Sequence, residues 1–169
     1  GNINVDSGIS WEENKLTLSA GLDININASL NGSGSAQLGL LYGQGAVASG
    51  NNSEYTILKT SSGFSASVNL PDGGNFSTTL GSDGVAIDYT VISSLDSLKS
   101  NASGNFAFGV NVDATSETIA ASSEGYCGGL RCNSSFSGNI DGLGHTVSNF
   151  IARQGNTNLG VGFLMHIND

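Results

Sequence analysis

The chain has 169 residues, enough for one domain with a substantial core, and combines 25 Gly with 1 Pro, 38% apolar residues and only 11% charged ones. The apolar share excludes a disordered tail, and the Gly, Ser and Asn content argues against long helices and for short strands joined by tight turns. The net charge of −9 comes from 14 acidic and 5 basic residues; Lys15, Lys59, Lys99, Arg131 and Arg153 stand singly, so no basic stripe can neutralise phosphates and nucleic acid is excluded as a partner.

No run approaches the roughly 20 apolar residues of a membrane span, and no signal peptide opens the chain. Residues 1–169 read as one segment of a larger protein. Period-two alternation predicts strands at Asn2–Asp6, Leu16–Leu18, Leu22–Ile26, Ala36–Tyr42, Tyr55–Leu58, Phe64–Leu70, Phe76–Leu80 and Val85–Ile92. Strong turns at Pro71-Asp-Gly-Gly74 and Gly81-Ser-Asp-Gly84 set a soft boundary near 71–84. The spacing of Ile92, Leu95 and Leu98 predicts one short helix over 92–99, capped by Ser93 or Ser94. Strands resume at Phe106–Phe108, Phe136–Ile140, Thr146–Ala152 and Gly160–Met165.

Short strands at this spacing fit a sandwich, a barrel or a solenoid. Loose echoes, Asn2-Ile-Asn-Val5, Asp23-Ile-Asn-Ile26, Gly109-Val-Asn-Val112 and Gly138-Asn-Ile-Asp141, favour the solenoid. The expectation is an all-β, right-handed parallel β-helix with one short helix and a disulfide-closed loop. Asparagines beside apolar positions are expected to stack as hydrogen-bonded ladders inside its corners. A sandwich is the other architecture the pattern allows.

Cys127 and Cys132 enclose Gly-Gly-Leu-Arg. Two thiols cannot complete a four-ligand zinc site, and the spacing is not C-x-x-C. A disulfide closing a small loop is the favoured reading, with a pair of free thiols as the other. The loop carries Glu124, Tyr126 and Arg131, recognition-type residues on a stiffened excursion, and these are the candidate ligand contacts.

Catalytic signatures are weak. Asp141 and His145 lie close in sequence, with Ser137 and Ser148 near them, the one local set that could bring an acid or base beside a nucleophile. Asp72, Asp83, Asp88 and Asp96 fall on different turns, away from Glu12, Glu13 and Glu54. Trp11 reads as an anchor or, if exposed, a sugar-stacking surface. Six N-x-S sequons begin at Asn27, Asn31, Asn51, Asn75, Asn101 and Asn133, as a chain rich in Asn and Ser produces by chance. No cofactor is implied and the chain is not read as an enzyme.

Two phrases carry a resemblance. Leu95-Asp-Ser-Leu-Lys-Ser-Asn-Ala-Ser-Gly-Asn-Phe-Ala-Phe-Gly-Val-Asn-Val-Asp113 leads to Phe136-Ser-Gly-Asn-Ile-Asp-Gly-Leu-Gly-His-Thr-Val-Ser-Asn-Phe150. Together they resemble the "SGNYxLGxNIDA…FxGxFDGLGHTISNL" phrase of large secreted bacterial exoproteins, the two-partner secretion or filamentous-haemagglutinin-like adhesins with GLUG-like repeats. The resemblance is clearest over Tyr89–Ile151 and takes in residues 89–169. It implies a secreted or bacterial cell-surface adhesin that binds host-cell glycans or proteins, or biofilm matrix polysaccharide, and is exported by an outer-membrane secretion partner. It also implies that Asp-Gly-Leu-Gly-His is a coil corner rather than a catalytic unit, Asp141 accepting backbone N–H groups and His145 bonding across coils, and that some sequon asparagines are glycosylated. The alternatives are a carbohydrate-active β-helix enzyme and a haem-acquisition exoprotein using His166 beside Met165.

Overall fold

The computed structural model describes residues 1–101, 103–115, 118–120 and 136–153. The chain makes three passes of three strand stations each. The first is β1 (Ile3–Val5), β2 (Ile9–Trp11) and β3 (Lys15–Ser19); the second is β4 (Ile24–Ile26), β5 (Leu30–Gly32) and β6 (Gln37–Tyr42). The third is β7 (Tyr55–Ile57), a short hairpin β8 (Lys59–Thr60) and β9 (Gly63–Phe64), then β10 (Val68–Asn69) and β11 (Gly73–Leu80). Beyond lie β12 (Ile87–Ile92), α1 (Asp96–Ser100), β13 (Phe106–Phe108), β14 (Val112–Asp113) and β15 (Thr118–Ala120). β16 (Ile140–Asp141), β17 (Val147–Ser148) and β18 (Ile151–Arg153) complete the described elements.

Equivalent stations pair in parallel. Ile3 lies beside Ile24 and Ile24 beside Tyr55; Ile9 beside Leu30 and Leu30 beside Val68; Leu16 beside Leu38 and Leu38 beside Phe76. Because side chains alternate along a strand, this register stacks apolar residues on one face and polar ones on the other. Ile24, Ile26, Leu30, Leu38, Leu40 and Val68 are completely buried in the first core. A second core gathers Ile92, Leu95, Leu98, Phe106, Phe108, Val112 and Phe136. β12 feeds both, sending Tyr89 and Val91 into the first and Ile92 into the second. The boundary expected at 71–84 falls on β11, which lies between β6 and β12 in the largest sheet.

The expectation of a single right-handed parallel β-helix is overturned. Among the described residues the strands fall into six separate sheets of two to six strands, of mixed orientation. β11 runs antiparallel to β12, with a register irregularity between Gly73 and Phe76, and β8 runs antiparallel to β9. The cause is connection length. A parallel crossover needs about a dozen residues or more. Only residues 81–86 join β11 to β12, and only Ser61-Ser62 joins β8 to β9, so the chain must double back. Gly81 makes the first reversal possible: its φ is +78°, and a Cβ there would lie 2.4 Å from the Ala48 nitrogen.

The predicted helix is shorter and later than expected. α1 spans Asp96–Ser100, its N-cap is Leu95 and no side chain caps it; Ser93 and Ser94 do not serve. Ile92 belongs to β12, yet Ile92, Leu95 and Leu98 all face the second core as their spacing requires. The predicted strand at Phe64–Leu70 divides into β9 and β10. The strand predicted at Gly160–Met165 and the Cys127–Cys132 loop lie outside the described residues.

Leu38 sits at the centre of the parallel stack, between Leu16 and Phe76. Leu38→Ala is expected to lower unfolding free energy by about 2–5 kcal/mol. Urea unfolding measures this as a lower midpoint at unchanged slope.

Candidate functional site

Two constructions stand out: a turn that joins distant parts of the chain, and ladders of polar side chains on the outer strand faces. The turn follows β16. Asp141 Oδ1 accepts the Leu143 N–H at 2.9 Å, and the His145 N–H donates to the Gly142 carbonyl at 2.8 Å. Leu143 takes a positive φ of +46°, costly for a branched side chain, but it is almost wholly buried in the first core and its carbonyl accepts the Val68 N–H at 2.9 Å. Gly144 follows at φ +81°, where a Cβ would stand 2.5 Å from the Ala66 carbonyl oxygen, so only glycine fits.

His145 completes the attachment. Its Nε2 lies 2.9 Å from the Val68 carbonyl oxygen. A carbonyl only accepts, so Nε2 carries the hydrogen and, in the neutral ring, Nδ1 is a bare acceptor. Burial lowers the His145 pKa below the usual imidazole value, and the Val68 hydrogen bond opposes that only in part.

The same turn is held by an aromatic row. Tyr55 donates its hydroxyl to Asp141 Oδ2. Tyr42 packs edge-on against Tyr55 at 5.5 Å between centroids, Tyr55 against Phe76 at 6.3 Å, and Phe76 against Tyr89 at 5.1 Å. Burial raises the pKa of all three tyrosines, and the charge of Asp141 raises them further. They remain protonated donors at neutral pH, so the arrangement supplies neither a phenolate nucleophile nor a phenolate base. It acts as a clamp.

The ladders lie on the opposite, solvent-facing sides of the strands. Asn25 donates Nδ2 to Asn4 Oδ1 at 2.8 Å and accepts from Thr56 Oγ1 at 3.0 Å, a row across β1, β4 and β7. Asn27 donates to Asp6 at 2.7 Å, Asn69 to Asn31 at 2.6 Å, Asn139 to Asn105 at 2.9 Å and Asn149 to Asp113 at 2.9 Å. These amides were expected inside corners. They lie instead on the outer strand faces, half-buried to exposed, because the inward positions of the same strands are occupied mainly by Ile, Leu and Val.

The other predicted site residues separate into several groups. Glu124, Tyr126, Arg131, Cys127, Cys132 and the sequon at Asn133 lie outside the described residues, as do Met165 and His166. Of the remaining sequons, the side-chain nitrogens of Asn27, Asn51 and Asn75 donate to Asp6, Gly43 and Pro71. Those of Asn31 and Asn101 make no hydrogen bond within the described residues, leaving these two the accessible amides. Trp11 is an anchor: it packs on the first core and its Nε1 donates to the Gln37 carbonyl at 3.2 Å. Asp72 accepts from Ser93 and Asp83 from the Ala48 N–H, both as turn fasteners. Among the described residues no three His, Cys, Asp or Glu side chains gather as a metal site, and no helix is long and apolar enough to cross a membrane. The tyrosine row was invisible to sequence reasoning, since Tyr55 and Asp141 are 86 residues apart.

Comparison of the chain with protein-family models, with curated proteins and with solved structures found no match.

The clamp generates two predictions. Tyr55→Phe removes a hydrogen bond to a carboxylate and is expected to cost about 1–3 kcal/mol in urea unfolding; an unchanged midpoint would show the turn is held by packing alone. For His145 the folded pKa is depressed, so its contribution to stability is complete above about pH 6.5 and declines as pH falls through the lowered folded value. Thermal unfolding at pH 7.5 and 5.0 should therefore show a larger loss of Tm in the wild type than in His145→Gln, which keeps a donor for Val68 but does not titrate.

Proposed function

We propose that the chain is a segment of a secreted or cell-surface bacterial adhesin or exoprotein, presenting ordered polar faces to host-cell or matrix glycans and proteins. The single observation that carries this reading is the set of exposed, in-register amide and hydroxyl ladders, above all Asn4–Asn25–Thr56. Each side chain is oriented by its neighbour on the next strand, so little rotamer freedom is left to lose when a partner docks. Parallel strands repeat these groups at about 4.8 Å, which offers a partner several evenly spaced hydrogen-bonding groups. The resemblance of Phe136–Phe150 to the exoprotein phrase supports the same reading. So does the net charge of −9, which disfavours adsorption to anionic surfaces and leaves uncharged or basic partners. For the full-length protein, export through an outer-membrane secretion partner belongs to the proposal.

Beads coated with the chain are expected to adhere to epithelial cells or extracellular matrix above an albumin control. Triple replacement of Asn4, Asn25 and Thr56 by Ala should lower that adhesion at least several-fold with unfolding still cooperative. Adhesion equal to albumin for the wild type would overturn the proposal.

A further inference from the structure

A second polar feature lies beside the Asp141–His145 turn. Where β10 passes under that turn, a cleft of about 250 Å³ opens, lined by Ser29, Ser67, Asn69, Asn111 and His145, with Phe64 at its rim. Its size falls just below the roughly 300–1,000 Å³ of pockets that take drug-sized ligands, and suits a single ring rather than a chain. The wall is preorganised. The hydroxyls of Ser29 and Ser67 lie 3.5 Å apart, the Ser67 N–H donates to Ser29 Oγ at 3.1 Å, and Ser67 Oγ donates to Asn69 Oδ1 at 3.4 Å. Asn111 Oδ1 accepts from the N–H of Thr146 at 3.0 Å, which orients the amide while its Nδ2 makes no bond within the described residues.

The lining decides the ligand chemistry. Hydroxyls donate and accept, the Asn111 amide nitrogen donates, and the Nδ1 of His145 accepts, so the cleft can satisfy a molecule that is itself both donor and acceptor at several points. Among the described residues no lining side chain is a carboxylate that would hold a cation, and none is a Lys or Arg that would hold an anion. Lys59 is not among the lining residues; its Nζ lies 6.0 Å from the centre of the Phe64 ring. Phe64 and Val110 are each more than two-fifths exposed and give the mouth an apolar edge. A C–H face to lie on this edge and hydroxyls to enter the wall describe one class of compound.

We propose that this cleft is a binding subsite for one uncharged pyranose residue of a glycan. The proposal rests on the surface-binding reading above and places a specific sugar contact away from the Asn4–Asn25–Thr56 face. An affinity on the order of 1 mM for a monosaccharide follows from so small and wet a site.

The test is titration of the ¹⁵N-labelled 169-residue chain with the methyl glycosides of mannose, galactose, glucose and N-acetylglucosamine, and of glucuronic acid as the charged control. At least one neutral glycoside should give saturable amide shifts at Phe64, Ser67, Asn111 and His145, and the glucuronide should bind at least tenfold more weakly. Asn111→Asp keeps the acceptor for Thr146 but loses the amide donors, and Phe64→Ala removes the rim. Each should weaken binding about tenfold or more with the urea midpoint of the wild type. No saturable shift with any neutral glycoside, equal binding of the glucuronide, or unaltered binding in both variants would overturn the subsite. Shifts confined to β1, β4 and β7, or cell adhesion without any glycoside binding, would overturn the cleft and leave the adhesive reading standing.

Discussion

In-register parallel pairing is the constraint on which the structure depends. Once Ile24 is set beside Ile3 and Tyr55, every neighbouring residue has a fixed station: Ile26 must fall inward and Asn25 outward between Asn4 and Thr56. Core and surface are therefore one decision. A slip of one residue would bury the asparagines and expose the isoleucines, with the cost of unsatisfied amides added to that of exposed apolar area. The outer ladders report the same register that the buried stack enforces.

The second constraint is attachment across long stretches of sequence. The Asp141–His145 turn reaches back 86 residues to Tyr55 and 77 to Val68, and puts Leu143 into the first core although its neighbours Phe136 and Val147 pack on the second. The turn thereby joins two apolar clusters that share β12. It uses a strained Leu143 and a Gly144 that tolerates no side chain, held by one carboxylate, one imidazole and two backbone bonds. Such a site is rigid by construction, and that rigidity shapes the polar cleft beside it.

Much of the strand pattern was legible. β1, β3, β4, β6, β7, β11 and β13 lie where alternation of Ile, Leu, Val and aromatic residues put them. β2 and β5 were hidden because Ile9-Ser-Trp11 is too short to alternate and Leu30-Asn-Gly32 ends in a dipeptide that reads as a turn. β8 was hidden by polarity, since Lys59-Thr60 carries no apolar residue of its own, while the start of the strand expected at Phe64–Leu70 turned out to be β9, the partner of β8. The architecture failed at a readable place. Gly81-Ser-Asp-Gly84 is a turn in the sequence, and its brevity forces β12 to run back along β11 rather than on into another parallel station. The turn role of Asp141 and a long-range bond from His145 were expected from the resembled phrase; the partners Tyr55 and Val68 were not, because nothing local marks a contact across 77 to 86 residues.

The surface reading also changes what the asparagines mean. Local composition suggested interior ladders, yet in β1, β4 and β7 the inward stations are filled by Ile3, Val5, Ile24, Ile26, Tyr55 and Ile57, and the amides are left to solvent and to one another. The most direct test of this account is a nuclear Overhauser map across β1, β4 and β7 in solution. Contacts of the Asn25 side-chain amide with Asn4 and with the Thr56 methyl, together with Ile24 to Ile3 and Tyr55, are the predicted result. Contacts from Asn25 to Ile3 or Tyr55 instead, the signature of a register shifted by one, would contradict the account.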